Sequence, residues 1–144
     1  MAYKIKQLEA LTTTELLEIM AARIAVFVVE QQCPYQEVDE LDAEAWHIWL
    51  EQAGEIAGYA RIIETAEGIQ IGRVLTPKKY RGQGYGEKLM TEALKEVQQL
   101  FPQKSVSLGA QEYAIGFYQN FGFEVCSEVY LEDDIPHVDM TLKS

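Results

Sequence analysis

The chain is short of positive charge: 12 lysines and arginines stand against 23 aspartates and glutamates, a net charge of −11 over 144 residues. Phosphate backbones select basic surfaces, so a nucleic-acid partner is excluded and small cationic ligands are favoured. Cysteine is scarce as well. Cys33 and Cys126 lie far apart, without C-x-x-C spacing or a histidine pair, so both read as reduced, structural side chains, with no metal site. No long apolar run is present, and the N-terminus carries Lys4, Lys6 and Gln7. It therefore resembles neither a membrane span nor a signal peptide, which points to a cytoplasmic protein. Repeats, low-complexity tracts and Pro/Gly/Ser-rich linkers are lacking too, which leaves one domain over residues 1 to 144.

What is there is the composition of a folded protein, with 48% apolar and 10% aromatic residues. The few positive charges are concentrated. Residues 71 to 88 hold Arg73, Lys78, Lys79, Arg81 and Lys88 against Glu87 alone, so this window is +4 and the remainder −15. A basic patch on an acidic chain suits an anionic cofactor and a cationic substrate.

Periodicity predicts a first strand over Tyr3 to Leu8, then a helix opened by a Thr12/Glu15 capping box and running through Leu16, Met20, Ile24, Phe27 and Val28. Gln31 to Tyr35 breaks that helix. The acidic stretch Glu37, Asp39, Glu40 and Asp42 reads as an exposed loop or short turn. Trp46 to Leu50 and Ile56 to Ile63 form a hairpin about Ala53-Gly54, and Ile69 to Thr76 follows as a third strand. In the first of these, His47 reads as a packed or hydrogen-bonded histidine. Beyond Pro77 a glycine loop opens a helix with the face Leu89, Ala93, Leu94, Val97 and Phe101. Ser105 to Leu108 then lies parallel to the strand before the helix, a short helix spans about Glu112 to Asn120, and Phe123 to Tyr130 and Val138 to Leu142 close the chain. The order predicts an α/β (α+β) protein with a mixed sheet and helices on its faces.

The loop Arg81-Gly82-Gln83-Gly84-Tyr85-Gly86 leaves a strand and opens a helix. Such a place gathers unpaired backbone N–H groups and the positive end of a helix dipole, so it binds anions. Glycines let a phosphate approach the backbone and allow positive φ. Two familiar phosphate loops fail on spacing. A P-loop needs Lys-Ser/Thr directly after its last glycine, but Glu87 intervenes; the dinucleotide fingerprint needs G-x-G-x-x-G, whereas this loop is G-x-G-x-G.

Arg81, Gly84 and Gly86 do fill the fixed places of [Q/R]-x-x-G-x-[G/A], the pyrophosphate loop of the GNAT superfamily of acetyl-CoA-dependent N-acetyltransferases. Gln111-Glu112-Tyr113-Ala114 through Phe117-Tyr118, then Phe121-Gly122-Phe123, resembles that superfamily's N-x-x-A-x-x-F-Y-x-x-x-G-F segment, with Gln111 in place of the usual asparagine. Phe27-Val28-Val29-Glu30-Gln31, Cys33-Pro34-Tyr35 and Glu132 to His137 resemble its bacterial ElaA-like subgroup.

The resemblance implies the GNAT fold, a mostly antiparallel sheet containing a splayed parallel pair. It implies acetyl-CoA (coenzyme A) bound by residues Arg81 to Gly86, with Val74, Leu75 and Thr76 pairing through their backbones to the acetyl oxygen and pantetheine amides, and Gln111 reaching the pantetheine arm. Val74 and Tyr118 would be the catalytic positions, Tyr118 by protonating the departing sulfur. With tyrosine near pKa ~10 and a thiol near ~8.5, that transfer is uphill by about 2 kcal/mol unless the site shifts one of them. On the acceptor side the resemblance places Glu30, Glu37 and His137, along with Asp39, Glu112, Glu132 and Asp133, and no general base is singled out. The implied activity is direct acetyl transfer to a primary amine of a small molecule or peptide, by a monomer or homodimer. The alternative is a non-catalytic acyl-CoA-binding regulatory module, which keeps the loop and needs neither Tyr118 nor a base.

Overall fold

A computed structural model describes residues 2–142. Eight strands form one sheet in the order β1-β2-β3-β4-β5-β8-β6, with β7 also paired to β8. The strands are β1 (Ala2–Gln7), β2 (Trp46–Gln52), β3 (Glu55–Thr65), β4 (Gly68–Leu75), β5 (Val106–Gln111), β6 (Phe123–Val125), β7 (Tyr130–Glu132) and β8 (Ile135–Leu142). All pairings are antiparallel except β4 with β5. The helices are α1 (Thr13–Arg23), α2 (Tyr85–Leu100) and α3 (Ile115–Gln119).

Apolar residues cover both faces of the sheet. On one face Leu89, Met90, Ala93 and Val97 of α2 pack with Ile48, Ile62, Ile71 and Leu108, and Tyr118 and Phe123 complete the layer. On the other, Ile19 and Val26 pack with Trp49, Tyr59 and Leu75. Among the described residues no helix is long and apolar enough to cross a membrane.

The capping box forms as the sequence predicts. Thr12 Oγ1 accepts from Glu15 N at 3.0 Å, and Glu15 Oε1 accepts from Thr12 N at 2.9 Å. The helix it opens does not continue unchanged to Val28. From Ile24 to Glu30 the backbone widens into a π-helical turn, with Gln31 N bonded to Val26 O and Cys33 N to Val28 O, both i→i+5. The run Ile24-Ala25-Val26-Phe27-Val28-Val29 is apolar on all sides. Such a run gives no single face for a 3.6-residue period to hold.

Three further expectations are corrected. Phe123 to Tyr130 is not one strand: the chain leaves the sheet after Val125, where Cys126 N donates to Asp139 O and Asp139 N donates to Ser127 Oγ, and it rejoins at Tyr130. Cys126 is exposed rather than buried, although both cysteines are free thiols. Most consequentially, the acidic stretch is not a solvated loop. Glu37 is 2% exposed and Asp42 6%, because arginines from three other elements meet them.

The parallel pair positions the site. β4 and β5 are paired only at Ile69/Val106 and Gln70/Ser107. Beyond that, β4 carries one extra residue against β3, between the Arg61/Gly72 and Tyr59/Leu75 partners. This bulge places Arg73 at φ 52, a left-handed conformation that costs a non-glycine residue about 1–2 kcal/mol. Arg73 is held there by Glu37, with Nε to Oε2 at 3.0 Å and Nη2 to the backbone O at 3.1 Å.

Candidate active site

A cavity of about 490 Å³ runs over the sheet face of β3, β4, β5 and β8 and into the opening between β4 and β5. Val74, Leu108 and Tyr118 line the opening. Gln31, Cys33, Tyr35 and Asp39 form one wall, and Tyr130, Glu132, His137 and Asp139 the other. Two glycines line it, Gly72 on β4, where a Cβ would meet nothing within 4 Å, and Gly109 on β5, where a Cβ would stand 3.1 Å from the Tyr130 hydroxyl.

The first wall belongs to a charged cluster that sequence reasoning missed, with Asp39, Arg61 and Arg73 on the cavity and Arg23, Glu37 and Asp42 behind them. Arg23, fully buried on α1, donates from Nε to Glu37 at 2.6 Å and from Nη1 to Asp42 at 2.6 Å. Arg61 Nη1 on β3 donates to Asp39 at 2.7 Å and Asp42 at 3.1 Å, and the Tyr35 hydroxyl donates to Glu37. The Tyr35 ring lies under the Arg73 guanidinium at 5.6 Å, a cation–π contact. Three guanidiniums and three carboxylates thus balance in a site where any one alone would be prohibitive. Burial raises the Asp42 carboxyl, but hydrogen bonds from Arg23, from the Asp39 backbone and from Arg61 outweigh it and hold the group near about 2. His47 is packed and hydrogen-bonded, as its setting predicts, with Nδ1 2.6 Å from the Tyr59 hydroxyl and Nε2 3.1 Å from Asp42 O. Burial lowers its pKa. The one sequence signal for the cluster was Arg61, a charge amid the buried residues of β3.

The glycine loop lies at the start of α2. Gly82 and Gly84 adopt φ +76 and +84, and a Cβ built at either meets no atom within 4 Å. Packing therefore does not demand glycine there; the backbone turn and the open space before the helix do. No side chain caps α2, so its first N–H groups face that space, which fits a pyrophosphate. Gly86 serves differently, since a Cβ there would stand 3.4 Å from the Phe117 ring of α3. Tyr85 packs edge-on to Tyr80 with ring centroids 5.6 Å apart, and Gln83 Nε2 donates to Lys79 O at 3.2 Å.

Two of the loop's cations are engaged by acids. Arg81 Nη2 donates to Glu30 Oε1 at 2.8 Å, Nη1 donates to the other Glu30 oxygen, and Nε donates to Thr76 O at 2.9 Å. The Arg81 contact lowers the Glu30 pKa. Lys79 pairs with Glu55 at 2.6 Å. The basic window is therefore less free than its composition suggests.

The residues singled out from the sequence divide as follows. Val74, Gln111, Tyr118 and His137 come together along the cavity, together with Asp39, Glu132 and Asp133. Leu75 is packed in the α1-side core. Gln111 Nε2 donates to Gln31 Oε1 at 3.2 Å. Glu30 and Glu37 do not line the cavity: one is held by Arg81, the other by Arg23 and Arg73. Burial pushes the Tyr118 hydroxyl well above its ordinary pKa.

A bulged parallel pair beside a glycine loop that opens a helix is the arrangement of the GNAT fold, and known proteins share it. Residues 10–144 match the acetyltransferase (GNAT) domain family, to which the chain belongs. It is ElaA-like. Protein ElaA of Escherichia coli is 41% identical over 135 residues, covering 90% of this chain and 88% of that one, and the crystal structure of E. coli ElaA superposes with a TM-score of 0.95 at 39% identity over 99% of this chain and 100% of that chain. A crystal structure of an acyl-CoA N-acyltransferase from Pseudomonas aeruginosa gives a TM-score of 0.93 at 39% identity, covering 99% of each chain. A UPF0039 protein of Schizosaccharomyces pombe is 45% identical over 141 residues, covering 96% of this chain and 94% of that one. GNAT proteins generally use acetyl-CoA.

Proposed function

We propose that this protein moves an acetyl group from acetyl-CoA to a primary amine of a small molecule or peptide by direct transfer, as a one-domain cytoplasmic enzyme. The observation that carries the reading is one cavity, lined at the strand opening by Val74 and Tyr118 and further out by Tyr130, Glu132 and Asp133 beside Arg61 and Arg73; the glycine loop lies outside this lining. An acyl donor entering past the glycine loop and an amine entering from the open sheet face would meet at that opening. In this reading the N–H groups at the start of α2 hold the pyrophosphate, with Arg81 contributing charge. The backbone of Val74, Leu75 and Thr76 orients the thioester arm and the acetyl oxygen, with Gln111 beside the arm. Tyr118 delivers a proton to the departing sulfur. Bound acetyl-CoA supplies the electrophilic carbonyl and the leaving thiolate. Glu132 and Asp133 make the acceptor end attractive to a cation, whereas the charge of Asp39 is answered by Arg61 and Arg73.

The test is release of free thiol from acetyl-CoA with a panel of polyamines, amino acids, aminoglycosides and N-terminal peptides. Acetyl transfer to at least one amine is the expected result. Tight coenzyme A binding without turnover on any of them would instead identify a non-catalytic acyl-CoA-binding module.

A further inference from the structure

We infer that His137 is the general base that takes the proton from the acceptor amine, with Glu132 as the carboxylate that steadies the resulting imidazolium. This rests on the acetyl-transfer reading above. His137 lies on β8 directly opposite Gln111 at the end of β5, and it lines the same cavity as Val74 and Tyr118. Its side chain is 9% exposed and its ring stacks on Tyr130 with centroids 6.0 Å apart, so its position is fixed from one face.

Its hydrogen bonding selects the tautomer. Nδ1 lies 2.7 Å from the backbone O of Ile135, and a carbonyl oxygen can only accept, so Nδ1 carries the proton. In the neutral ring Nε2 is then left with a lone pair. Glu132 Oε2 stands 3.5 Å from Nε2, close enough to favour positive charge on the ring once a proton arrives. The Glu132 side chain is 61% exposed, so water screens that pull at rest and can carry the proton away afterwards.

Of the other titratable groups lining the cavity, Asp139, Asp39, Cys33 and Tyr118 are committed or ill-suited, and Asp133 is an exposed carboxylate. Asp139 accepts the Tyr130 hydroxyl at 2.7 Å; burial first, and this bond after it, push Tyr130 up. Asp39 is paired with Arg61. The Cys33 thiol points at Asp133 O at 3.7 Å and is raised by burial and by Asp133 and Asp134. Tyr118 is raised by burial, which suits an acid and not a base.

The ammonium gives one proton to Nε2, and the freed lone pair on nitrogen forms the C–N bond at the thioester carbonyl. The C–S bond breaks with its electron pair going to sulfur. The second proton lost from nitrogen as the amide forms neutralises the thiolate by way of Tyr118, and the proton on His137 leaves to solvent past Glu132. The net products are the acetamide, the free thiol and one proton.

A base matters only for an amine that arrives charged. A lysine-like amine is neutral in about one molecule in a few thousand at pH 7, whereas hydroxylamine is largely neutral already. Two measurements test the assignment. The first needs no acceptor: 15N NMR of the full chain, labelled at histidine, is expected to show the neutral form of His137 carrying its proton on Nδ1. A neutral ring with its proton on Nε2 would overturn the assignment. In the second, His137→Gln is expected to lower the ratio of alkylamine to hydroxylamine turnover about 100-fold, the effect of losing a general base. Equal loss on both nucleophiles marks a merely structural role and overturns it. Should His137→Gln fail to fold, the exposed Glu132→Gln is read instead, with the same ratio falling in the same sense and an unchanged ratio counting against the pair. If the unsubstituted enzyme acetylates hydroxylamine but no alkylamine, the base is refuted while transfer stands. If it acetylates neither, the transfer reading itself falls and takes the base with it.

Discussion

Burial raises the Tyr118 hydroxyl, so considered alone it is a poorer acid than a free tyrosine. A coenzyme A thiolate leaving into the same cavity would also be stripped of water, which raises the thiol in turn, and only the difference between the two sets the direction of proton transfer. Replacing Tyr118 by Phe removes the proton and keeps the ring against Phe117 and Phe123. The turnover number under saturating acetyl-CoA should fall about 100-fold, a typical contribution from a positioned acid; an unchanged turnover number removes Tyr118 from the chemistry. Arg23 presents a different residue-scale case, because its charge serves Glu37 and Asp42 in a place water does not reach. Arg23→Met leaves two carboxylates facing each other with one counter-charge fewer. Breaking such a buried set from one side costs about 3–5 kcal/mol. Urea unfolding of the variant measures this directly, and a loss within experimental error of zero would mean that Arg61 and Arg73 already satisfy the acids.

At the scale of elements, α1 is tied down by Glu15, whose carboxyl is held near about 2 by the Thr12 backbone N–H first and by Lys6 and Lys4 after it. Its folded value lies below the ordinary 4.5, so its contribution is present above that value and disappears as pH falls towards 2. Glu15→Gln should therefore lose stability at neutral pH, by about 1 kcal/mol for a helix cap, and should lose less than the parent protein on acidification through that window. Parallel acid titrations of thermal unfolding check it; parallel curves would contradict it. This cap was legible because its two residues are three apart in the chain, as was the hairpin at Ala53-Gly54, where both residues take positive φ. The strand, loop and helix from Gly68 to Leu100 were legible for the same reason. What could not be read depends on distant partners. An acidic loop looks solvated until Arg23, Arg61 and Arg73 arrive from α1, β3 and β4, and the break after Val125 follows from how β8 receives Cys126 and Ser127. Within the site, the motif gave the loop and Tyr118 by position, while His137 acquires its tautomer from a backbone carbonyl that no side-chain pattern reveals.

For the molecule as a whole, the question is how a chain of net charge −11 would hold the proposed acetyl-CoA, which carries several negative phosphates. The local answer is the +4 window, yet Glu30 sits on Arg81 and Glu55 on Lys79, so part of that charge is already answered by the protein. Two effects of Glu30 then oppose each other. It repels a pyrophosphate and competes for the guanidinium, but with Thr76 O it also holds Arg81 beside the loop. Both side chains of the pair are more than one-third exposed, so the pair itself is worth at most about 1 kcal/mol once solvent screening is allowed for. The repulsion acts on a ligand of several charges and falls off only over a Debye length of about 10 Å in 0.1 M salt. Repulsion should win. Glu30→Gln is expected to tighten coenzyme A binding by up to about fivefold at low ionic strength, with the advantage shrinking as salt is raised. Calorimetric titration at two salt concentrations decides it. Weaker binding in the variant, insensitive to salt, would show instead that Glu30 is needed to aim Arg81 at the phosphates.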